Sequence, residues 1–199
     1  HIRTGFDGDT GIVTIENPFN TEFAGRIAFI DVSVAQGEEP ADKLEKYYTG
    51  DSLEFIGPEG SLKEPEALKR KELSRTVGIA VDPCAVIQVK VKLEPHSKKE
   101  LVFVPGQGND MTHVKSITEK YRDLNNVKKE FERIKEFWRS KLDTVQVDTP
   151  DETINFILNG WLLYQALSCR LWGRSAFYQS GGAFGFRDQL QDSMALVYT

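Results

Sequence analysis

Cysteine is scarce. The 199 residues hold only Cys84 and Cys169, far apart and in different kinds of sequence. A structural disulfide is not expected, and two reduced thiols suit a cytoplasmic protein. Histidine is scarce too: His1, His96 and His113 have no metal-ligand spacing to one another or to a cysteine, so they read as surface residues and no metal is expected. No apolar run approaches the length of a membrane span, and no signal peptide is visible, so this segment is expected to make no membrane contact. A basic stripe is also missing. The 25 basic residues face 30 acidic ones for a net charge of −5, and the short patches at 69–71, 98–99 and 128–129 are interleaved with Glu. That pattern reads as solvated surface and argues against nucleic acid. The chain opens His1-Ile2-Arg3 without Met and reads as an excised piece.

Several small motifs resolve into plain structure. Asp7-Gly8-Asp9-Thr10-Gly11 is half of a calcium loop but lacks the downstream bidentate Glu, so it reads as a turn. Gly106-Gln107-Gly108 is not followed by a phosphate-loop pattern and also reads as a turn, so no cofactor is expected. Asp82-Pro83-Cys84 reads as a turn entering a strand. Cys169 sits in an apolar helical pattern with no His nearby in sequence, and reads as core rather than nucleophile. Ser180-Gly181-Gly182 does not match a nucleophile elbow.

The first half of the chain is β in character. Residues 11–17 and 25–34 are rich in β-branched residues, with weaker candidates at 51–56 and 76–81. Residues 85–93 put apolar side chains on the odd positions, Glu94-Pro95-His96-Ser97 turns the chain, and 99–104 return. Those two runs predict an antiparallel hairpin, and the set as a whole predicts a β-sandwich. The character changes near residue 106. Ser116-Ile117-Thr118-Glu119 is a capping-box pattern, and Tyr121, Leu124, Val127, Phe131, Ile134 and Trp138 recur as one helical stripe to about Leu142. A short extended piece follows at 144–147. Thr149-Pro150-Asp151-Glu152 then predicts an N-cap, Pro at the first helical position, acid in the first turn and a capping box, opening a helix that runs to about Trp172. Its apolar residues nearly encircle it, so it is expected to be buried among other helices, though nothing else in these 199 residues is large enough to cover it.

The residues richest in chemistry are 175–192, Ser-Ala-Phe-Tyr-Gln-Ser-Gly-Gly-Ala-Phe-Gly-Phe-Arg-Asp-Gln-Leu-Gln-Asp. If 187–192 begin a helix, Asp188 and Asp192 share a face, as do Arg187 and Gln191. Carboxylates, carboxamides and a guanidinium within about one turn match the donor and acceptor pairs of vicinal sugar hydroxyls. Trp172, Phe177, Tyr178, Phe184 and Phe186 could pack on the apolar face of a pyranose, and the glycines let the backbone approach a ligand. The plainer reading of the same residues is an Arg-Asp ion pair closing a helix start beneath a loop.

Three stretches carry a resemblance: 159–165 (Asn-Gly-Trp-Leu-Leu-Tyr-Gln), 169–175 (Cys-Arg-Leu-Trp-Gly-Arg-Ser) and 178–192 (Tyr-Gln-Ser-Gly-Gly-Ala-Phe-Gly-Phe-Arg-Asp-Gln-Leu-Gln-Asp). Together they resemble glycoside hydrolase family 94, the inverting glycoside phosphorylases formerly grouped as a glycosyltransferase family. The Phe-Tyr-Gln-Ser-Gly-Gly form and residues 54–84 look like the cyclic β-1,2-glucan synthetase and β-oligoglucan phosphorylase branch. The resemblance implies an α+β chain: a partial β-sandwich over 1–114, a helical linker over 115–147, and the first helices of a truncated (α/α)6 barrel over 148–199. It implies phosphorolysis of a β-glucan oligosaccharide or disaccharide, with inorganic phosphate as co-substrate. It also implies sugar-binding roles for Arg187, Asp192 and Asp188, in that order, with Gln189, Gln191, Tyr178 and Gln179 around them; Arg187 is also a candidate for the phosphate. The family's general-acid Asp lies in a Trp-Asn-Asp-like motif that these residues do not contain. The general acid is therefore expected beyond Thr199, no catalytic residue is assigned here, and the chain alone is expected to be inactive.

Two other readings stay open. One is a non-catalytic carbohydrate-binding or scaffold sandwich. The other is a hydrolase on the same helical barrel, separated from the first by phosphate dependence. The uncovered barrel helix could dock on the sandwich or on a second copy, which leaves a homodimer open. The full-length protein is membrane-attached if it is a cyclic glucan synthetase.

Overall fold

Runs rich in β-branched residues make β2 (Ile12–Glu16) and β3 (Ile27–Ala35) strands, as the sequence predicts. The structure, a computed structural model, describes residues 2–19, 21, 24–35, 44–79, 81–173 and 186–197, with backbone alone at 188 and 189. The chain divides into two units, 1–128 and 129–199.

In the first unit, β1 (Arg3–Asp7), β2, β3 and β6 (Glu100–Gly108) form an antiparallel sheet in that order. The Asp7 turn behaves as expected. Its Oδ1 accepts from the amides of Asp9 at 3.0 Å and Thr10 at 3.3 Å, and Gly11 closes the turn at φ 73°. A second pair joins β4 (Lys46–Asp51) to β5 (Pro83–Val89), and β5 lies against β1, β2 and β3. The strand entry expected at Asp82-Pro83-Cys84 is met, but Pro83 and Cys84 are already the first residues of β5 rather than part of a turn.

The expected hairpin between 85–93 and 99–104 does not form. β5 pairs with β4, and β6 pairs with β3 over nine residues, from Ile27–Gly108 to Ala35–Glu100. A nine-residue partner satisfies more backbone groups than a short local hairpin. Gly106-Gln107-Gly108 is therefore strand, not turn. Gly106 lies opposite Phe29, and a Cβ there would sit 2.7 Å from the ring, so the absent side chain is what lets the aromatic lie across the ladder. The two weaker strand candidates also fail. Residues 52–56 form the short helix α1 (Ser52–Ile56), because Asp51 caps it by accepting from the Leu53 amide at 3.0 Å. Of the described residues in 76–81, only Thr76 makes a bridge, with Thr49.

The helix α2 (Met111–Arg122) starts five residues before the Ser-x-x-Glu pattern. Asp110 is its N-cap, accepting from His113 N at 2.8 Å, while Ser116 sits mid-helix and donates to the His113 carbonyl. Packing decides the start. Val114 must lie on the helix to join Ile12, Ile27 and Phe29 in the core, and Gly108 gives it room, a Cβ there being 2.6 Å from Val114. The continuous stripe expected through Trp138 is interrupted at Asp123, whose carboxylate accepts from the Asn125 amide at 2.8 Å and starts α3 (Leu124–Leu142) afresh. A smaller core gathers Tyr47, Ala67 and Leu73 against Phe55 and Val86.

One face of β3 is unusual. Ile27 and Phe29 are followed on that face by Asp31, which is fully buried. Asp31 receives Lys46 Nζ at 2.8 Å and Arg122 Nε at 2.8 Å, with Arg122 Nη2 at 3.1 Å. Lys46 also donates to the Gly11 carbonyl, and Arg122 to the Thr10 carbonyl. One carboxylate thus ties together β3, β4, α2 and the β1–β2 turn.

In the second unit, α4 (Glu152–Phe156) runs without interruption into a π-helical turn (Ile157–Trp161), α5 (Leu162–Gln165) and a second π-helical stretch (Ala166–Trp172). Its extent matches the expectation, but its start differs. Asp151, not Thr149, caps it, accepting from Thr153 N at 2.8 Å. Thr149 is held elsewhere: Asn155 Oδ1 accepts from its amide and hydroxyl at 2.8 and 2.7 Å, and Asn155 Nδ2 donates to its carbonyl. One turn on, Asn159 grips the Val147 amide and carbonyl in the same manner at 2.7 and 2.8 Å. Two side-chain amides thus stand in for a neighbouring strand. On α3, Phe137 and Trp138 meet Trp172 at ring distances of 5.9 and 5.5 Å, and Trp138 meets Tyr164 at 4.8 Å. The expected burial of the apolar helix is not reached: Phe156 is 71% and Trp172 58% exposed. Within the described residues, no helix is long and apolar enough to cross a membrane.

Two outcomes are expected. Asp31→Ala strands two largely shielded cations and should cost up to about 3–5 kcal/mol in urea unfolding, the range for broken buried pairs; a loss under about 1 kcal/mol would contradict the tie. Asp7 is held below the usual carboxylate range chiefly by the Lys115 ammonium at 2.8 Å, aided by the turn amides and opposed by burial. A depressed folded-state value stabilises the fold above the ordinary carboxylate range of about pH 4, and the gain fades as pH falls through the lower value. Asp7→Asn should therefore flatten the acid limb of stability against pH while changing its dependence above pH 6 little.

Candidate functional site

The helix α6 (Phe186–Met194) forms as the Arg187–Asp192 spacing predicts. Arg187 is exposed, as is Phe186, and Asp192 is half-buried. The backbone puts Asp188 one residue after Arg187 on the same helix; its side chain and that of Gln189 lie outside the described residues. Tyr178, Gln179, Phe177 and Phe184 lie outside them altogether. So does Thr199, the residue beyond which the general acid is expected.

A groove of about 500 Å³ runs between the C-terminal half of the 152–172 helix and α6. Gln191 and Asp192 line one wall, and Gln165, Cys169 and Arg170 the other, with Leu162, Ala166 and Ala195 completing the lining. Asp192 Oδ2 is ion-paired with Arg170 Nε. The structure therefore brings Gln191 and Asp192 together at one groove. Arg187 is not among the residues lining it. Asp192 thus pairs with a residue 22 positions upstream.

One sequence expectation needs correction here: Cys169 is exposed, not core, because the helix face that carries it lines the groove. The ring of Trp172 packs beside Phe137 and Trp138, and the residue is 58% exposed. Arg170 was not singled out by the sequence. The available signal was Gln165, a polar residue inside an otherwise apolar stripe, which marks a wetted helix face. Cys84 contrasts with Cys169: burial, then the charges of Asp51, Asp82 and Glu54, push its thiol up to about 11. Among the described residues no cluster of three or more His, Cys, Asp and Glu could hold a metal ion.

Residues 1–124 match the model of the glycosyl hydrolase 94 supersandwich domain, and residues 137–199 that of the glycosyl hydrolase 94 superfamily catalytic domain. The chain belongs to glycosyl hydrolase family 94. Its fold is accordingly that family's supersandwich followed by the start of the catalytic domain, α+β overall. Among family 94 relatives, it is 33% identical over 197 residues to the cyclic beta-(1,2)-glucan synthase NdvB of Rhizobium meliloti (strain 1021), covering 98% of this chain and 7% of the relative. It is 28% identical over 155 residues to the N,N'-diacetylchitobiose phosphorylase of Vibrio furnissii, covering 76% of this chain and 19% of that protein. A solabiose phosphorylase from Paenibacillus borealis is 26% identical over 150 residues, covering 75% and 19%. The chain thus spans 19% or less of the length of each of these relatives.

The two thiols should separate in a disulfide-exchange titration at pH 8. Exposed Cys169 should react quickly, and Cys84 only on unfolding, since a thiol near 11 carries little thiolate there. Two equally fast thiols would contradict the half-buried, acid-flanked setting of Cys84.

Proposed function

We propose that this chain is the sandwich, helical linker and barrel opening of an inverting glycoside phosphorylase that acts on β-glucosides, with domains at 1–114, 115–147 and 148–199. The observation that carries the reading is the catalytic-domain match over 137–199, within which α6 bears an exposed Arg187 and lends Gln191 and Asp192 to a groove. Arg187, Asp192 and Asp188 bind the sugar beside the scissile bond, with Gln189, Gln191, Tyr178 and Gln179 completing the subsite.

The chemistry asks for what these side chains offer. In an inverting phosphorolysis, a phosphate oxygen forms the new bond to the anomeric carbon as the glycosidic C–O bond breaks, and an acid gives its proton to the leaving oxygen. Phosphate takes the place of the base-activated water of an inverting hydrolase, so a second catalytic carboxylate is not needed. Carboxylates and amides within about one helical turn accept and donate to paired hydroxyls, and a guanidinium suits an anionic co-substrate. The general acid is assigned to none of these residues and belongs to the barrel sequence beyond Thr199. Glucose 1-phosphate is the product from a glucan or glucosyl disaccharide, and the relatives named as a β-1,2-glucan synthase and as phosphorylases support that class. The working compartment is the cytoplasm, where phosphate is plentiful.

The test uses the full-length protein, incubated with β-1,2-gluco-oligosaccharide or cellobiose with and without inorganic phosphate, with glucose 1-phosphate assayed. Release should depend on phosphate, and Arg187→Ala or Asp192→Ala should lower it by about 100-fold or more, the scale of losing one preorganised polar contact. The 199-residue chain by itself should release none. Phosphate-independent glucose would sink the reading in favour of a hydrolase, and no product from a panel of β-glucans would leave a scaffold or binding role.

A further inference from the structure

The Arg170–Asp192 pair depends on an irregularity of the helix that carries Arg170. In a regular α-helix, residues 165 and 169 share a face, while residue 170 points roughly 140° away from residue 165. Here Ala166–Trp172 is π-helical, and the Gly173 amide reaches back five residues to the Ser168 carbonyl at 2.8 Å. The wider turn brings residues five apart into line, so that Gln165 and Arg170 line one wall of the groove together with Cys169. Such turns recur at functional sites because they aim a side chain that a regular helix would turn away. The side chain aimed here is the guanidinium that pairs with Asp192.

We propose that Arg170 is a positioning residue for Asp192. Its Nε holds Oδ2, which fixes the carboxylate's rotation at the groove wall and leaves the second oxygen to accept from a sugar hydroxyl. The pair also joins the two walls, since Asp192 stands on α6 and Arg170 on the 152–172 helix. A carboxylate on the surface of a nine-residue helix would otherwise sample several rotamers, and a binding group must be held in place by its neighbours to orient a ligand. The inference rests on the reading of Asp192 as a sugar ligand.

The test is a double-mutant cycle in the full-length protein, read as KM for a β-1,2-linked gluco-oligosaccharide, KM for phosphate and kcat, with oligosaccharide binding measured by titration calorimetry. Arg170→Met should raise the sugar KM and weaken calorimetric binding by about tenfold or more, on the scale of a misplaced contact. The phosphate KM should stay within about twofold, as should the sugar KM of Arg170→Met/Asp192→Asn relative to Asp192→Asn alone, because the two residues act as one unit. Arg170→Lys, which keeps the charge, should recover part of the loss. A role confined to helix packing would lower the thermal midpoint of Arg170→Met and leave the sugar KM of the folded enzyme unchanged, and that result overturns the inference. If Arg170→Met does not fold, Arg170→Lys decides, since an unchanged sugar KM there also overturns it. If Asp192→Asn impairs sugar binding and the Arg170 variants do not, positioning alone fails. If Asp192→Asn binds sugar normally, or if the unsubstituted protein binds no oligosaccharide, the reading of the site fails and takes the inference with it.

Discussion

A carboxylate removed from water must be met by cations or donors, and the first unit is arranged around that requirement at Asp31. The strand β3 supplies the carboxylate, β4 supplies Lys46 and the end of α2 supplies Arg122. Each cation also binds a carbonyl of the β1–β2 turn. Four pieces of chain far apart in sequence are thereby held to one point. The apolar core of Ile12, Ile27, Phe29 and Val114 lies on the same face of the sheet and is non-directional. The charge cluster adds direction, because it accepts one placement of α2 and not its neighbours. That α2 begins at Met111 and ends at Arg122 follows from Val114 at one end and Arg122 at the other.

The second unit solves a different problem. Its main helix is apolar nearly all round, and much of that surface stays exposed among the described residues. What holds it is partly aromatic, through Phe137, Trp138, Tyr164 and Trp172, and partly amide, through Asn155 and Asn159 gripping the extended residues before it. Two π-helical stretches then re-aim side chains along it. The groove owes its charged wall to the second, so a departure from regular helix is tied to the one place where a guanidinium, a thiol and a carboxamide meet α6.

Family membership, the order of a β-rich half before a helical half, the helix at 186–194, the turn at Asp7, the strand start at Pro83, and two unpaired thiols were legible in the sequence. These are local or motif-borne properties: a period of two or three to four, a Pro or Gly at a fixed place, a dense run of rare residues. The two strands at 85–93 and 99–104 were legible as strands and misleading as partners. Adjacency in sequence suggested a hairpin, whereas register length and the fit of Phe29 over Gly106 joined each to a remote strand. Helix starts differ from the sequence pattern for a similar reason. Several residues near 110 and 150 can cap, and the choice fell to Asp110 and Asp151 once Val114 and Asn155 had found their partners.

The candidate site divides along the same line. Arg187, Asp188, Gln191 and Asp192 could be chosen from sequence because they crowd into one helical turn with a chemistry that suits sugars. Arg170 could not, since nothing within a few residues of it announces a carboxylate 22 positions away. The sequence by itself determined the family, the periodicities and the short polar motif, which depend on neighbours in the chain. Only the tertiary structure decided strand partners, helix starts, the burial of Asp31, the exposure of Cys169 and the pairing of Arg170 with Asp192. Those depend on volume, charge neutralisation and register between segments that meet only when the chain is folded.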